Sequence, residues 1–165
     1  MSWRLPGRRI SAAAAALAVA ALILFAIHER YLSPLVLVVE DARKGDLILR
    51  RQVGPYDRLT LSYLHSVSKT RVRGIFEIAG DGGLIVRETS FGTFGPGLPE
   101  LRAGDRYEIK EGAIHQLDVN QRLPEISVFV HPYTEHVLQF RDEAIDLSGK
   151  LAPGTLVRIA VESGG

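Results

Sequence analysis

Apolar residues follow two different rhythms along this chain. From Ile10 to Ile27 they run almost without a break, with Ser11 the only polar residue. Beyond residue 34 they come in short bursts separated by glycine, proline and charged residues. The first rhythm predicts one long helix. Its eighteen residues rise about 27 Å, close to the roughly 30 Å of a hydrocarbon core. The second rhythm predicts strands.

The long run is framed by charge. Arg4, Arg8 and Arg9 precede it, and His28, Glu29 and Arg30 end it. Arginines on the leading side place Met1 in the cytoplasm and Tyr31 onward outside, with the chain crossing the inner membrane once. Residues 1–30 are therefore expected to be an uncleaved signal-anchor. A cleaved signal peptide is the rival reading. The small-x-small triplet Ala18-Val19-Ala20 falls inside the apolar run, and Phe25-Ala26-Ile27 offers no clear cleavage site. Either reading exports the remainder of the chain.

The expected exported domain spans residues 35–162. Its bursts are Leu35–Glu40, Leu47–Val53, Leu59–Val67, Val72–Ala79, Leu84–Phe91, Ala113–Asn120, Ile126–Val130, His136–Phe140, Ala144–Leu147 and Leu156–Val161. Arg43-Lys44-Gly45-Asp46 and Asp81-Gly82-Gly83 read as hairpin turns. A further pairing of Ala113–Asn120 with Ile126–Val130 is expected around Asn120–Pro124. The stretch from Gly92 to Gly112 reads as irregular. No segment after residue 30 keeps a helical period with caps. The fold class expected is all-β, an antiparallel sandwich or barrel-like domain behind one N-terminal transmembrane helix.

Charge divides along the same boundary. The first 30 residues hold four arginines against one glutamate, and the rest holds sixteen basic against eighteen acidic residues. The domain has no basic excess, which argues against nucleic acid as a partner. The chain has no cysteine. Disulfides, thiolate metal sites and thiol nucleophiles are excluded.

Strand alternation singles out polar residues in phase with apolar ones. His65 follows Leu59, Leu61 and Tyr63. Glu88 follows Leu84 and Val86. His136 precedes Leu138 and Phe140, and His115 precedes Leu117 and Val119. Buried ionisable groups need partners. Each histidine also fits a satisfied core or rim residue, and Glu88 fits a cross-strand partner of Lys69, Arg71 or Arg73. The sharper expectation is that His65, Glu88 and His136 meet as a site for a divalent metal or polar ligand. No His-x-His or His-x-x-x-His spacing supports a metal, and no cofactor is required by the sequence. Ser66 adjoins His65, but neighbouring strand residues face opposite ways. With no Gly-x-Ser-x-Gly elbow and no phosphate loop, a binding role fits better than an enzyme. Phe91-Gly92-Thr93-Phe94-Gly95-Pro96-Gly97-Leu98-Pro99 reads as a connection between sheets or a docking loop, with Phe91, Phe94, Gly95, Gly97 and Pro99 as its candidates.

The segment from Leu61 to Val72 contains His65-Ser66-Val67-Ser68-Lys69-Thr70-Arg71-Val72, which resembles the His-Ser-Val-x-Lys-Thr-x-Val signature of domain-of-unknown-function family 1850. Glu88 with Phe94-Gly95-Pro96-Gly97-Leu98-Pro99 resembles its second block. Pro132-Tyr133-Thr134-Glu135-His136-Val137-Leu138 resembles a third. The resemblance covers roughly Leu35–Val161. The family signature is usually followed by acidic residues, where Arg73 and Gly74 stand here. The resemblance implies an exported protein that accompanies tripartite ATP-independent periplasmic (TRAP) transporters of the TAXI type. It carries over His65, Ser66, Lys69, Glu88 and His136 as ligand-site candidates. The expected partners are the bilayer and the transporter permease or solute receptor. A stand-alone periplasmic ligand or metal sensor and a metal-assisted hydrolase are the alternative functions.

Overall fold

A computed structural model describes residues 15–23, 34–95, 98 and 100–164. It divides into two units, Met1–Ser33 with Gly165 and Pro34–Gly164. In the first unit residues 15–23 are helical. The rest of the expected anchor lies outside the described residues. No helix among the described residues is long and apolar enough to cross a membrane.

The second unit is all-β and is built of two antiparallel sheets. One has four strands in the order β2-β1-β11-β8: β1 is Leu35–Asp41, β2 Leu47–Val53, β8 Glu125–Phe129 and β11 Leu156–Ser163. The other has seven, in the order β10-β9-β3-β4-β5-β7-β6: β3 is Arg58–Leu64, β4 Arg71–Ile78, β5 Leu84–Phe91, β6 Arg106–Lys110, β7 Ala113–Leu123, β9 Val137–Phe140 and β10 Glu143–Asp146. The β1–β2 and β4–β5 hairpins lie where the turn residues put them. Asp41 closes the first, its carboxylate accepting from the Arg43 N–H at 2.9 Å.

Three expectations are corrected. β7 and β8 do not pair. β7 lies between β5 and β6, while β8 joins β11 in the other sheet. The stretch expected to be irregular contains β6. The strand expected from Leu59 to Val67 ends at Leu64, and His65 begins the turn into β4. A single helical turn, Leu147–Lys150, and a 3-10 turn, Pro132–Thr134, complete the unit.

Period-two burial explains the packing. Leu37, Val39, Leu49, Ile126, Val157 and Ile159 from the smaller sheet meet Leu59, Leu61, Phe76, Ile78, Leu84, Val86, Leu138 and Phe140 from the larger one in a single core. Fully burying each of these side chains stabilises by roughly 1.5–3 kcal/mol. On the outside of the smaller sheet, Arg158 donates to Glu40, Glu125 and Glu162, tying β1, β8 and β11 together.

A β-bulge reshapes β5. The register with β4 and with β7 shifts between Val86 and Glu88. Val86 stands opposite the inward Phe76, whereas Glu88 stands opposite Ile75, whose other neighbour, Thr60, points outward. One extra residue thus reverses the phase of the rest of the strand. Arg87 reaches Glu77 on the outer face at 2.7 Å. Arg58 binds the same carboxylate, and Glu77 is buried between them.

The Arg87 guanidinium, with Arg58 behind it, holds the Glu77 carboxyl below the usual carboxylate range. In the unfolded chain that carboxyl takes up protons at its ordinary pKa. The stabilisation is therefore present above that range and is lost as pH falls through it toward the folded value. Glu77→Gln is expected to lower stability by about 1–2 kcal/mol at neutral pH. Urea denaturation near pH 7 and near pH 4 checks the sign, because the variant should lose less on acidification than the native chain.

Candidate functional site

The four-stranded sheet covers only part of the larger sheet's inner face. The register pairs carry the uncovered part across four strands: Tyr63 opposite Val72, Leu61 opposite Gly74, Gly74 opposite Thr89, and Thr89 opposite Gln116. Here the inner face forms the floor of a groove of about 920 Å3. The floor is Leu61, Val72, Phe76, Val86 and Val119, with Tyr63, Thr89 and Gln116 as polar groups among them. Leu98, Glu100, Arg102, Gly104, Asp105 and Arg106 line its other side as a wall.

Each part of the groove has a local cause. Gly74 leaves the middle of the floor without a side chain. The Phe76 ring fills that space, and a Cβ at Gly74 would come within 2.7 Å of it. Phe91 is fully buried and forms a second apolar cluster with Val72 and Leu98, against which Tyr63 and Ile114 pack. That cluster fastens one end of the wall. Asp105 fastens the other, its carboxylate accepting from the Arg102 N–H at 2.7 Å and from the Gln116 side chain at 2.9 Å. Arg106 pairs with Asp118 at the rim. Burial pushes the Tyr63 phenol up, so it stays protonated as a donor beside the groove.

Of the three histidines that the strand pattern turns inward, His65 and His136 are buried, whereas His115 stands on the outer face opposite Ser90. His65 caps the β3–β4 turn: its Nδ1 accepts from the Ser68 N–H at 3.2 Å and lies 3.1 Å from the Ser68 hydroxyl. The Ser68 hydroxyl in turn meets that of Thr70 at 2.8 Å. A neutral ring whose Nδ1 accepts from a backbone N–H carries its proton on Nε2. In that state His65 is a donor and not a metal ligand. Lys69 takes the left-handed position of the turn at φ 55°. Ser66 and Lys69 are exposed at the tip beside Val67, which is 76% exposed.

His136 joins three segments. Its backbone N–H donates to the Ser148 hydroxyl at 2.8 Å, and its carbonyl accepts from the Leu147 N–H at 2.9 Å. Its ring stacks on Tyr63 with centroids 5.0 Å apart, and Nδ1 lies 2.8 Å from the Thr134 hydroxyl. That hydroxyl donates to the His131 carbonyl. Having one proton, it then receives from Nδ1, which leaves the lone pair on Nε2.

Glu88 stands apart from both. The bulge puts it on the outer face, where its carboxylate lies 3.1 Å from Nδ1 of His115. The expected meeting of His65, Glu88 and His136 does not occur, and no group of three His, Asp or Glu side chains among the described residues is placed to hold a metal ion. Of the docking candidates, Phe91 is core. Phe94 is 57% exposed and meets the Phe91 ring edge-on at 5.6 Å. Gly95 accepts from the Leu98 N–H through its carbonyl. Gly97 and Pro99 lie outside the described residues. Thr89, Asp105 and Gln116 went unnoticed in the sequence. Alternation in the sequence put Glu88 and His115 inward, and so turned Thr89 and Gln116 the wrong way.

Residues 59–147 match the family described as domain of unknown function (DUF1850). The chain belongs to this family. The DUF1850 match runs from β3 to just past β10, so it takes in all seven strands of the larger sheet and the groove on it. Its first block is the turn that His65 caps, and its third is the junction at His136. Neither a curated protein nor a solved structure matches the chain.

Burial also holds the His136 ring below the ordinary histidine value. The unfolded ring binds a proton more readily, so stability is present above the ordinary range and is lost as pH falls through it toward the folded value. Denaturation between about pH 7.5 and pH 5.5 should show this slope in the native chain, and His136→Phe should flatten it. His65→Ala is expected to cost about 1 kcal/mol and to speed hydrogen exchange at the Ser68 amide. His65→Asn, which keeps an acceptor, should recover part of the loss.

Proposed function

We propose that this protein is a membrane-anchored, extracytoplasmic binding module that serves as an accessory to a TRAP-type solute transporter. The groove on the seven-stranded sheet carries this reading. It has an apolar floor, a few polar groups among the floor residues and a charged rim. That is the form of a ligand site. The polar groups beside it, Tyr63, Thr89 and Gln116, are donors and acceptors of the kind that orient a bound ligand.

The arginine-led apolar run of Ile10–Ile27 supports export and anchoring. The resemblance of the His65, Phe94–Pro99 and His136 blocks to a family that accompanies TAXI-type transporters supports the accessory role. The bilayer is then one partner, and the permease or the soluble solute receptor is the other. Exposed Phe94 and the Ser66–Lys69 tip border the groove's end of the sheet and are the docking surface in this reading.

Affinity purification of the full-length chain from solubilised membranes of its own bacterium tests the proposal. Transporter subunits should be recovered, and Thr89→Trp, which fills the groove floor, should reduce their yield several-fold. Protease added to spheroplasts should digest residues 34–164. Repeated purifications without any transporter subunit would leave a stand-alone ligand receptor using the same groove. Protection from protease would overturn export itself.

A further inference from the structure

The last strand of the larger sheet, β6, is a free edge with an unusual surface. Among the described residues it pairs with β7 alone, and all five of its residues are exposed. Tyr107 and Ile109 stand opposite Gln116 and Ile114, so they share the inner face. They are 53% and 72% exposed. Arg106, Glu108 and Lys110 alternate in sign on the other face. Exposed edges are commonly blunted by short length, charged side chains, proline or cover. β6 is short and carries Arg106, Glu108 and Lys110, but their signs alternate, so two copies can pair them instead of repelling.

The turn fixes which backbone groups are free. Lys110 pairs with Ala113 across a two-residue turn, Glu111 and Gly112, both with positive φ. Such a turn is closed by a pair that exchanges both backbone hydrogen bonds. Lys110, Glu108 and Arg106 therefore turn their N–H and C=O groups toward β7. Tyr107 and Ile109 turn theirs outward.

We infer that β6 pairs with β6 of a second copy of this chain, antiparallel about a two-fold axis at Ile109. The axis uses the free backbone groups, Ile109 to Ile109. It sets Glu108 of each copy opposite Lys110 of the other. Neither of these side chains has an ionic partner among the described residues, so the contact supplies one to each. An axis at Glu108 would oppose Glu108 to itself and Arg106 to Lys110, which like charge disfavours. An axis at Tyr107 would need Arg106, which Asp118 already holds. Two such short strands bury less than the roughly 1,200 Å2 of a standard complex, so the pairing is reversible.

The chain has no cysteine, so single replacements report on the full-length protein in its membranes. Directly opposed Cα atoms of a hydrogen-bonded antiparallel pair lie about 5.5 Å apart, within disulfide reach. Ile109→Cys should give a dimer band of twice the chain's mass under mild oxidation, and Tyr107→Cys should give at least tenfold less. Glu108→Lys should weaken self-association at least fivefold in sedimentation of the detergent-solubilised chain, and the charge swap Glu108→Lys with Lys110→Glu should restore it. Stronger cross-linking through Tyr107→Cys, no cross-link from either variant, or an adduct of another mass, which would assign the edge to a foreign strand, each overturns the inference.

Discussion

Two stacked sheets of unequal width cannot bury one another completely, and the remainder of the wider inner face must be solvated, covered by chain or given to a partner. Here four strands face seven. Their common core accounts for Leu59, Phe76, Leu84, Val86 and Phe140 on the larger sheet. Beyond it the same strands continue with Tyr63, Val72, Thr89 and Phe91. That row has no sheet above it. Phe91 and Val72 are covered by Leu98 from the following segment. Tyr63 and Thr89 face the groove instead. The groove is therefore what remains where these strands run on past the smaller sheet, with the Phe76 ring over Gly74 in its floor and its wall fastened by Phe91 at one end and Asp105 at the other.

The two buried histidines brace the segments beside this groove. Both use Nδ1 locally, one to cap a turn and one to meet a threonine hydroxyl. Each ring is thereby fixed in tautomer and orientation, which is what a positioning residue needs. Tyr63 lies between their segments, stacked on His136 and two residues from His65. Part of the run His65-Ser66-Val67-Ser68-Lys69-Thr70 has a physical account in this turn. The ring needs an amide three residues on, the fourth position must tolerate positive φ, and the closing threonine needs a hydroxyl neighbour.

Most strands were legible because short apolar runs and turn residues agree, as in β1, β2 and β4. The burial of His65 and His136 agrees with their phase, although His65 lies past the end of β3 and His115, equally in phase, stands outward. Glu88 was misread because a bulge leaves no mark in the hydrophobic pattern. Leu84, Val86 and Glu88 keep perfect alternation in sequence, and only the register with Ile75 reveals the reversal. β6 was hidden by its neighbours. Arg106-Tyr107-Glu108-Ile109-Lys110 alternates and is followed by a turn-forming Glu111-Gly112, but it is enclosed by glycines and prolines that read as loop. The separation of β7 from β8 is a matter of which sheet a strand joins, and short-range pattern does not carry that information. The groove residues Asp105 and Gln116 act through a contact between a turn and a strand that no periodicity encodes.

The β6–β7 overhang has little core of its own. None of the β6 side chains is buried, and an isolated hairpin is marginal in water. It is held by the ladder, the Glu111-Gly112 turn, the Arg106–Asp118 pair and the link from Asp105 to Gln116. Gln116, Asp118 and Val119 of β7 line the groove, while β6 forms the free edge on its other side. Whatever fills the groove or pairs with the edge adds contacts to the same weakly supported hairpin, and so stabilises it in proportion to occupancy. An occupant at one surface reduces the ordering that the other must still impose, which makes binding at the two mutually favourable without any change of fold. Such coupling is reciprocal by thermodynamic necessity. In the proposed reading, a ligand in the groove and a second copy at the sheet edge would both act on this overhang.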